Sequence, residues 1–304
     1  MPVDDMGIFL KGFGFFTGKN SKTIADEVFE ELKKRDKLYL IKPHEHSYPI
    51  CWRCKEELIY RLVPSWFIAT EELKPRLIRN AQSVKWEPES NGKRMLDWLN
   101  NMGNWNISRK RYYGMPLPFY VCEDCGNVHV VGSIDELKSL AVDPAKVDAL
   151  PELHRPWIDE VEIKCPKCSA NVKRITDVGD VWLDAGIVPF STTGYFDDKE
   201  EWRKNFPAEW VVEMREQVRL WFYSLLFMST VLEDRAPYER VLCHSSVIQE
   251  NGQKFSKTGY MIRFDEAAEK IGADTVRYLY AGAPVANDVR FGFNLGDEAR
   301  RKLL

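Results

Sequence analysis

Apolar positions recur along this chain in two rhythms, one near 3.6 residues and one of two, and the switches between them divide it into elements. Ile24, Val28 and Leu32 share the spacing of one helix face, with Ser21 placed to cap its start. Over residues 37–70 the rhythm becomes alternation, as in Leu38-Tyr39-Leu40-Ile41 and Leu58-Ile59-Tyr60-Arg61-Leu62-Val63. Alternation predicts strands, with Trp52 and Trp66 packing on the core. Residues 73–79, 93–100 and 134–140 return to helical spacing. Residues 208–213 read as a strand, 216–232 as a helix striped by Val218, Trp221, Phe222, Leu225, Leu226 and Met228, and 238–248 as a second strand. Two further helices fall at 264–271 and 274–280. Strand, helix, strand in that order predicts an α/β sheet of parallel strands, whose ligands gather at the strands' carboxyl ends.

Composition narrows this picture a little. A chain of 304 residues can bury a large core and hold two or three domains. The net charge of −3 conceals 43 basic and 46 acidic residues, so any polyanion would have to meet a local basic patch, and Arg109-Lys110-Arg111 is one candidate. The longest apolar run, 220–232, is too short to span a bilayer and no leader pattern opens the sequence, which points to a cytoplasmic protein. Six of the seven cysteines stand in Cys-x-x-Cys pairs, which suits a reducing compartment and metal rather than disulfides.

Three stretches carry candidate chemistry. Cys122-x-x-Cys125 and Cys165-x-x-Cys168 can each place two thiolates on one ion, and together they make a closed tetrahedral zinc site with no position left for catalysis. Cys51 and Cys54, with His44 and His46 nearby, offer a second possible ligand set. Asp177, Asp180 and Asp184 crowd around Val181-Trp182-Leu183 and read as solvated acids along a strand edge. Finally, Asn251-Gly252 makes a turn into Lys254-Phe255-Ser256-Lys257-Thr258, which sets two ammonium groups three residues apart on a loop beside a hydroxyl. Point charges on long stems suit the charge that develops when a pyrophosphate leaves, although a solvated basic turn has the same composition.

The lysine loop also resembles the KMSKS signature of the class I aminoacyl-tRNA synthetases, with Phe255 for Met and Thr258 for the last Ser. Four more blocks follow the family's order. His46 to Arg53 resembles HSYPxCWR, Ile107 to Gly114 resembles ISRQRxWG, Asp180 to Gly186 resembles DVWFDSG, and Glu213 to Phe222 resembles EGSDQHRGWF. The isoleucyl enzymes fit best and the valyl enzymes next.

The resemblance implies an α/β fold, the carboxyl-terminal half of a Rossmann-type nucleotide-binding domain with a zinc-knuckle insertion and a remnant of the editing domain. On that reading residues 1–45 are the editing remnant, 46–118 a β-rich return into the catalytic domain and 119–176 the zinc insertion. Residues 177–289 are then the second catalytic half, and 290–304 start a linker to a helical domain. Isoleucine would be ligated to tRNA(Ile) through isoleucyl-adenylate, with ATP and Mg2+ as further requirements. Lys254 and Lys257 would steady the pyrophosphate. Glu213, Glu216, Gln217, His244 and Ser256 would line the adenylate, while Trp182 and Trp221 would wall the amino-acid pocket. Arg109 and Arg111 would meet tRNA phosphate. The histidines, at 44, 46, 129, 154 and 244, lack the family's His-x-Gly-His spacing. The chain is therefore expected to supply part of an active site, to need an amino-terminal half, and to be inactive alone. The alternatives are part of a valyl enzyme, or a zinc-stapled tRNA-binding module without catalysis.

Overall fold

The computed structural model describes residues 2–51 and 53–303, in two compact units, Met1–Pro64 and Ser65–Leu304. Trp52, expected on the core, lies outside the described residues. In the first unit, short bridges pair Val3 with Phe9 and Ile8 with Asn20, and Phe9 packs near the rings of Phe13 and Phe16. The expected helix forms over Ala25–Lys34, with Ile24 buried and Val28 and Leu32 half-buried. Ser21 does not cap it: Ile24 holds the cap position, and no side chain bonds the first turn.

Among the described residues, the strands expected from the alternation at 37–63 do not form. Among the described residues this stretch makes one bridge, Ile50 with Glu57, which closes the Cys51–Cys54 turn. Tyr39 is 99% exposed and Leu62 78%. Alternation supplies a face, but a strand also needs a partner edge to bond its amides, and among the described residues no strand pairs with this segment. The second unit supplies the one short strand of the predicted set, Phe67–Ile68, bonded antiparallel to Trp105–Asn106.

The second unit is built on a three-stranded parallel sheet in the order Ala208–Met214, Tyr238–His244, Lys85–Glu87. Helix Trp221–Glu233 is the crossover between the first two strands, as a parallel pair requires. It is apolar nearly all round, with Phe222, Leu226 and Phe227 almost fully buried. Helices Lys74–Gln82 and Glu89–Asn101 add Leu77, Met95 and Leu99 to the same core, against Tyr238 and Val241. The crossover ends at Asp234 in a left-handed conformation (φ 51°), where its carboxylate accepts from Arg76 and Arg79 at 2.8 Å.

Two expected elements are broken in ways that bear on function. The helix read over 216–232 begins as a 3-10 turn, Arg215–Arg219, and becomes α-helical only at Trp221, whose amide donates to Gln217 Oε1 at 3.1 Å. The strand read over 238–248 stops at His244 and resumes as Val247–Gln249, because Asp288 captures the Ser245 hydroxyl and the Ser246 amide between them. Val247–Gln249 pairs in parallel with Val289–Phe291, and helices Phe264–Ile271, Ala273–Ala281 and Phe293–Leu303 surround this second pair.

Helix Val181–Ser191 packs on the crossover helix at Gly186. A Cβ there would lie 2.7 Å from the Ser224 carbonyl oxygen and 3.1 Å from Met228 Cγ. Gly186→Val should therefore cost about 1–3 kcal/mol through overpacking, read as a lowered urea midpoint with an unchanged m-value. A midpoint equal to wild type would show that the two helices separate freely. No helix among the described residues is long and apolar enough to cross a membrane.

Candidate active site and metal centre

The two long parallel strands end in register, Glu213 opposite Cys243 and Met214 opposite His244, so the chain emerging from both reaches one place. His244 is exposed there, its Nδ1 2.9 Å from the Ser245 carbonyl, whereas Cys243 is buried in the core and burial pushes its thiol up to about 11. A core role for His244 is thereby excluded. Glu213 accepts the Met214 amide at 2.9 Å. Gln217 spends its oxygen on the Trp221 amide, which leaves its NH2 group to donate elsewhere. Glu216 stands exposed, 3.5 Å from the Arg215 guanidinium.

The lysine loop starts from the second strand pair. Lys254 bridges back to Ile248, and Gln249 Nε2 donates to its carbonyl at 2.9 Å. Phe255 anchors the loop by packing with Ile262 on the small core of Ala267, Ile271 and Phe291, and it stacks against Tyr260. Ser256 Oγ lies 3.2 Å from both the Thr258 amide and the Thr258 hydroxyl, a tight polar turn that throws Lys257 outward. Both ammonium groups are exposed, and among the described residues neither has an ion-pair partner within 4.0 Å.

Sequence reasoning missed two charged groups at this junction. Asp288 accepts the hydroxyl of Ser245 and the amide of Ser246, the latter at 3.1 Å, and lies 3.8 Å from Arg215. The Ser245 and Ser246 hydrogen bonds, against some burial and with the charges of Arg215 and Lys254, hold its carboxyl below the usual range. Arg215 could have been noticed, because it stands where the EGSDQHRGWF pattern has serine; Asp288 carried no such signal.

The aspartates of the 177–186 segment are not a row of solvated acids. Asp177 is buried under Lys110 at 2.7 Å, and its carbonyl accepts from the buried Arg174. Asp180 is buried, caps helix Val181–Ser191 through the Trp182 amide, and accepts from Arg109 at 2.8 Å and Trp105 Nε1 at 3.2 Å. Asp184 alone of the three is exposed. Burying a carboxylate is affordable only with such a set of donors. Arg109, Arg111, Tyr113, Asp180, Trp182 and Asp184 share in lining a cavity of about 240 Å³. Trp221 is not among its walls; its indole donates to the Ala185 carbonyl at 2.9 Å, one turn along the helix that bears Trp182.

The four thiols of Cys122, Cys125, Cys165 and Cys168 converge. Each pair sits at the tip of a short antiparallel hairpin, Phe119–Val121 with Val128–Val130 and Glu162–Lys164 with Asn171–Lys173. Gly126 and Ser169 turn the chain at positive φ after each pair. Cys122 and Cys168 sulfurs are 3.5 Å apart, Cys125 and Cys165 3.7 Å, and all four lie within 4.8 Å of one another. Tetrahedral zinc with bonds of about 2.3 Å needs sulfurs about 3.8 Å apart, so the donor set fits. Against the penalty of burial, the amides of Lys167 and Cys168 and the neighbouring thiols hold Cys165 down to about 6. Cys168 is pushed the other way, to about 12: the Ala170 amide favours its thiolate, but Cys122, Cys125 and Cys165 crowd it. Such mutual opposition is what a dication relieves. Helix Ile134–Leu140 forms inside the excursion as read, capped by Ser133, and contributes Leu137 to the module's own core with Tyr120, Ile158 and Ile163. No other cluster of metal-ligating side chains forms among the described residues, and His44 and His46 do not join Cys51 and Cys54.

Comparison with known proteins places the chain in a family. The chain is 37% identical to the isoleucine–tRNA ligase of Sulfolobus acidocaldarius over its whole length, and covers 28% of that protein. It is 38% identical to the one from Archaeoglobus fulgidus over 98% of its length, again covering 28%. The chain thus spans little more than a quarter of the relatives it matches. The crystal structure of Mycobacterium tuberculosis methionyl-tRNA synthetase bound by methionyl-adenylate matches 84% of this chain and 40% of its own, at 15% identity and a TM-score of 0.51, which supports the fold alone. The family model for class I tRNA synthetases (I, L, M and V) matches residues 19–292, and the chain belongs to that family.

Proposed function

We propose that this chain supplies the lysine-loop part of an active site that ligates isoleucine to tRNA(Ile), and that its four clustered cysteines hold a structural zinc. The observation that supports this reading is the meeting of both strand ends, bearing Glu213 and His244 and followed by the turn that carries Gln217, with the segment that leads into Lys254 and Lys257. In the reaction, the isoleucine carboxylate attacks the α-phosphorus of ATP, which arrives with Mg2+, and pyrophosphate leaves. The acyl group then passes to a ribose hydroxyl at the end of the tRNA. Little covalent work falls to the protein, so positioning and charge carry the rate. Lys257 and Lys254 neutralise the departing pyrophosphate, and Ser256 holds their turn. Glu213 receives the substrate ammonium, Gln217 donates its amide to the adenylate, and Glu216 and His244 flank the ribose. Trp182 and Trp221 bound the aliphatic side chain, and Arg109 and Arg111 meet tRNA phosphate beside them.

Isoleucine-dependent ATP–pyrophosphate exchange tests this. The chain alone should give none. Mixed with a polypeptide carrying the amino-terminal part of a relative's catalytic domain, it should recover exchange, and Lys257→Ala should cut that by about 100-fold or more. Exchange by the chain alone would overturn the division of the site. Silence from the mixture, with tRNA still bound in a salt-dependent way, would favour the non-catalytic binding module.

A further inference from the structure

We propose that Asp288 is an internal counter-ion for the cations at the strand ends, held against Arg215 and beside Lys254 until a polyphosphate takes its place. The inference rests on the lysine loop being a polyphosphate holder, as proposed above, and adds the group against which that anion must compete. Three segments meet at this carboxylate. Ser245 and Ser246 come from the break after strand Tyr238–His244, Arg215 follows directly on strand Ala208–Met214, and Asp288 itself precedes strand Val289–Phe291. Lys254 enters through the same small sheet: it bridges Ile248, which pairs with Arg290, two residues from Asp288. The charge of Lys254 also reaches Asp288, as the lowered pKa of the carboxyl reflects after its hydrogen bonds to Ser245 and Ser246.

The pairing is loose enough to be exchanged. Arg215 and Asp288 stand 3.8 Å apart with side chains 40% and 39% exposed, the setting in which ion pairs contribute little and water competes well. The hydrogen bonds from Ser245 and Ser246 are what fix the carboxylate, so it stays put while the cations are free to turn to a ligand. Glu216, 3.5 Å from Arg215, is the other acid in reach and adds to the same competition. A phosphate chain bound by Lys254 and Arg215 would therefore meet a fixed negative charge, which limits how tightly pyrophosphate is retained after it forms.

Titration calorimetry of the full chain with inorganic pyrophosphate at low salt reads this directly. Asp288→Asn keeps an oxygen for Ser245 and Ser246 and removes only the charge. It should bind pyrophosphate about three- to ten-fold more tightly than wild type, a direction that damage to the fold would not produce. Ser245→Ala, which keeps the charge and leaves the Ser246 amide to hold it in place, should stay within two-fold of wild type. In a Lys254→Ala background the gain from Asp288→Asn should shrink. Equal or weaker binding by Asp288→Asn, with wild type binding normally, overturns the counter-ion while leaving the lysine loop intact. Binding by none of the variants overturns the loop as a polyphosphate holder, and the counter-ion with it.

Discussion

Stripping the zinc proposed for the four clustered cysteines should unfold residues 119–176 and leave the parallel sheet standing. The hairpins that carry the four cysteines are three residues to a strand, well below what holds together in water unaided. Their shared core is small, centred on Tyr120, Leu137, Ile158, Val161 and Ile163, and is distinct from the core under the sheet. Structural zinc in comparable small sites is worth about 10–16 kcal/mol of folding free energy near neutral pH, more than such a core can replace. Purified protein should carry one zinc per chain. A strong chelator, or Cys165→Ser, should open new protease sites between residues 119 and 176, while the tryptophan-rich core around Trp86 and Trp105 keeps its near-ultraviolet circular dichroism. A metal-free preparation with an unchanged cleavage pattern would show that the knuckles fold on packing alone.

The pairs Cys122-x-x-Cys125 and Cys165-x-x-Cys168 were legible because two residues between thiols suit one ion and two such pairs complete a tetrahedral set; Cys51-x-x-Cys54 has the same spacing but joins no such cluster among the described residues. The parallel sheet and its crossover helix were legible for a similar reason. A thirteen-residue run as apolar as Trp221–Glu233 has to be buried, and strands joined through it have to run parallel. What the pattern could not show was where the backbone would be taken over by a side chain. Asp288 ends a strand 44 residues upstream of itself by binding the Ser245 hydroxyl and the Ser246 amide, and Gln217 delays a helix by offering its own oxygen to the Trp221 amide. Each is a local hydrogen bond that competes with regular structure, and the polar residue responsible looks no different in sequence from a solvated one. Alternation failed at residues 37–63 for the converse reason, since it describes a strand's faces and says nothing of the neighbour its amides require. The candidate site itself divides in the same way. Lys254 and Lys257 stand exposed on a loop, as their setting suggested, whereas Asp177 and Asp180 turned out buried under cations supplied from the 109–110 segment.

Asp180→Ala should therefore be far more costly than its place among three aspartates suggests. The carboxylate is 5% exposed and receives the Arg109 guanidinium, the Trp105 indole and the Trp182 amide at once. Removing it leaves the indole N–H without its acceptor and the guanidinium half-covered without a counter-charge, and it takes the cap from helix Val181–Ser191. Leaving a buried pair half made costs about 3–5 kcal/mol; because the Arg109 side chain is 36% exposed and can recover some water, about 2–4 kcal/mol is expected here. Asp180→Asn, which can still accept from the indole and the amide, should cost about half as much. Asp184→Ala, on the exposed side of the same turn, should change stability by no more than about 0.5 kcal/mol. Urea unfolding of the three variants measures all of this, and similar midpoints for Asp180→Ala and Asp184→Ala would sink it. The functional consequence follows from the same bonds. Asp180 fixes Arg109 and starts the helix that carries Trp182, so it sets the shape of the cavity those two side chains share. In the two-part exchange assay, Asp180→Asn should raise the KM for isoleucine more than it lowers kcat. It acts by placing the Trp182 indole rather than by touching the phosphates, whereas loss of Lys257 should fall mainly on kcat.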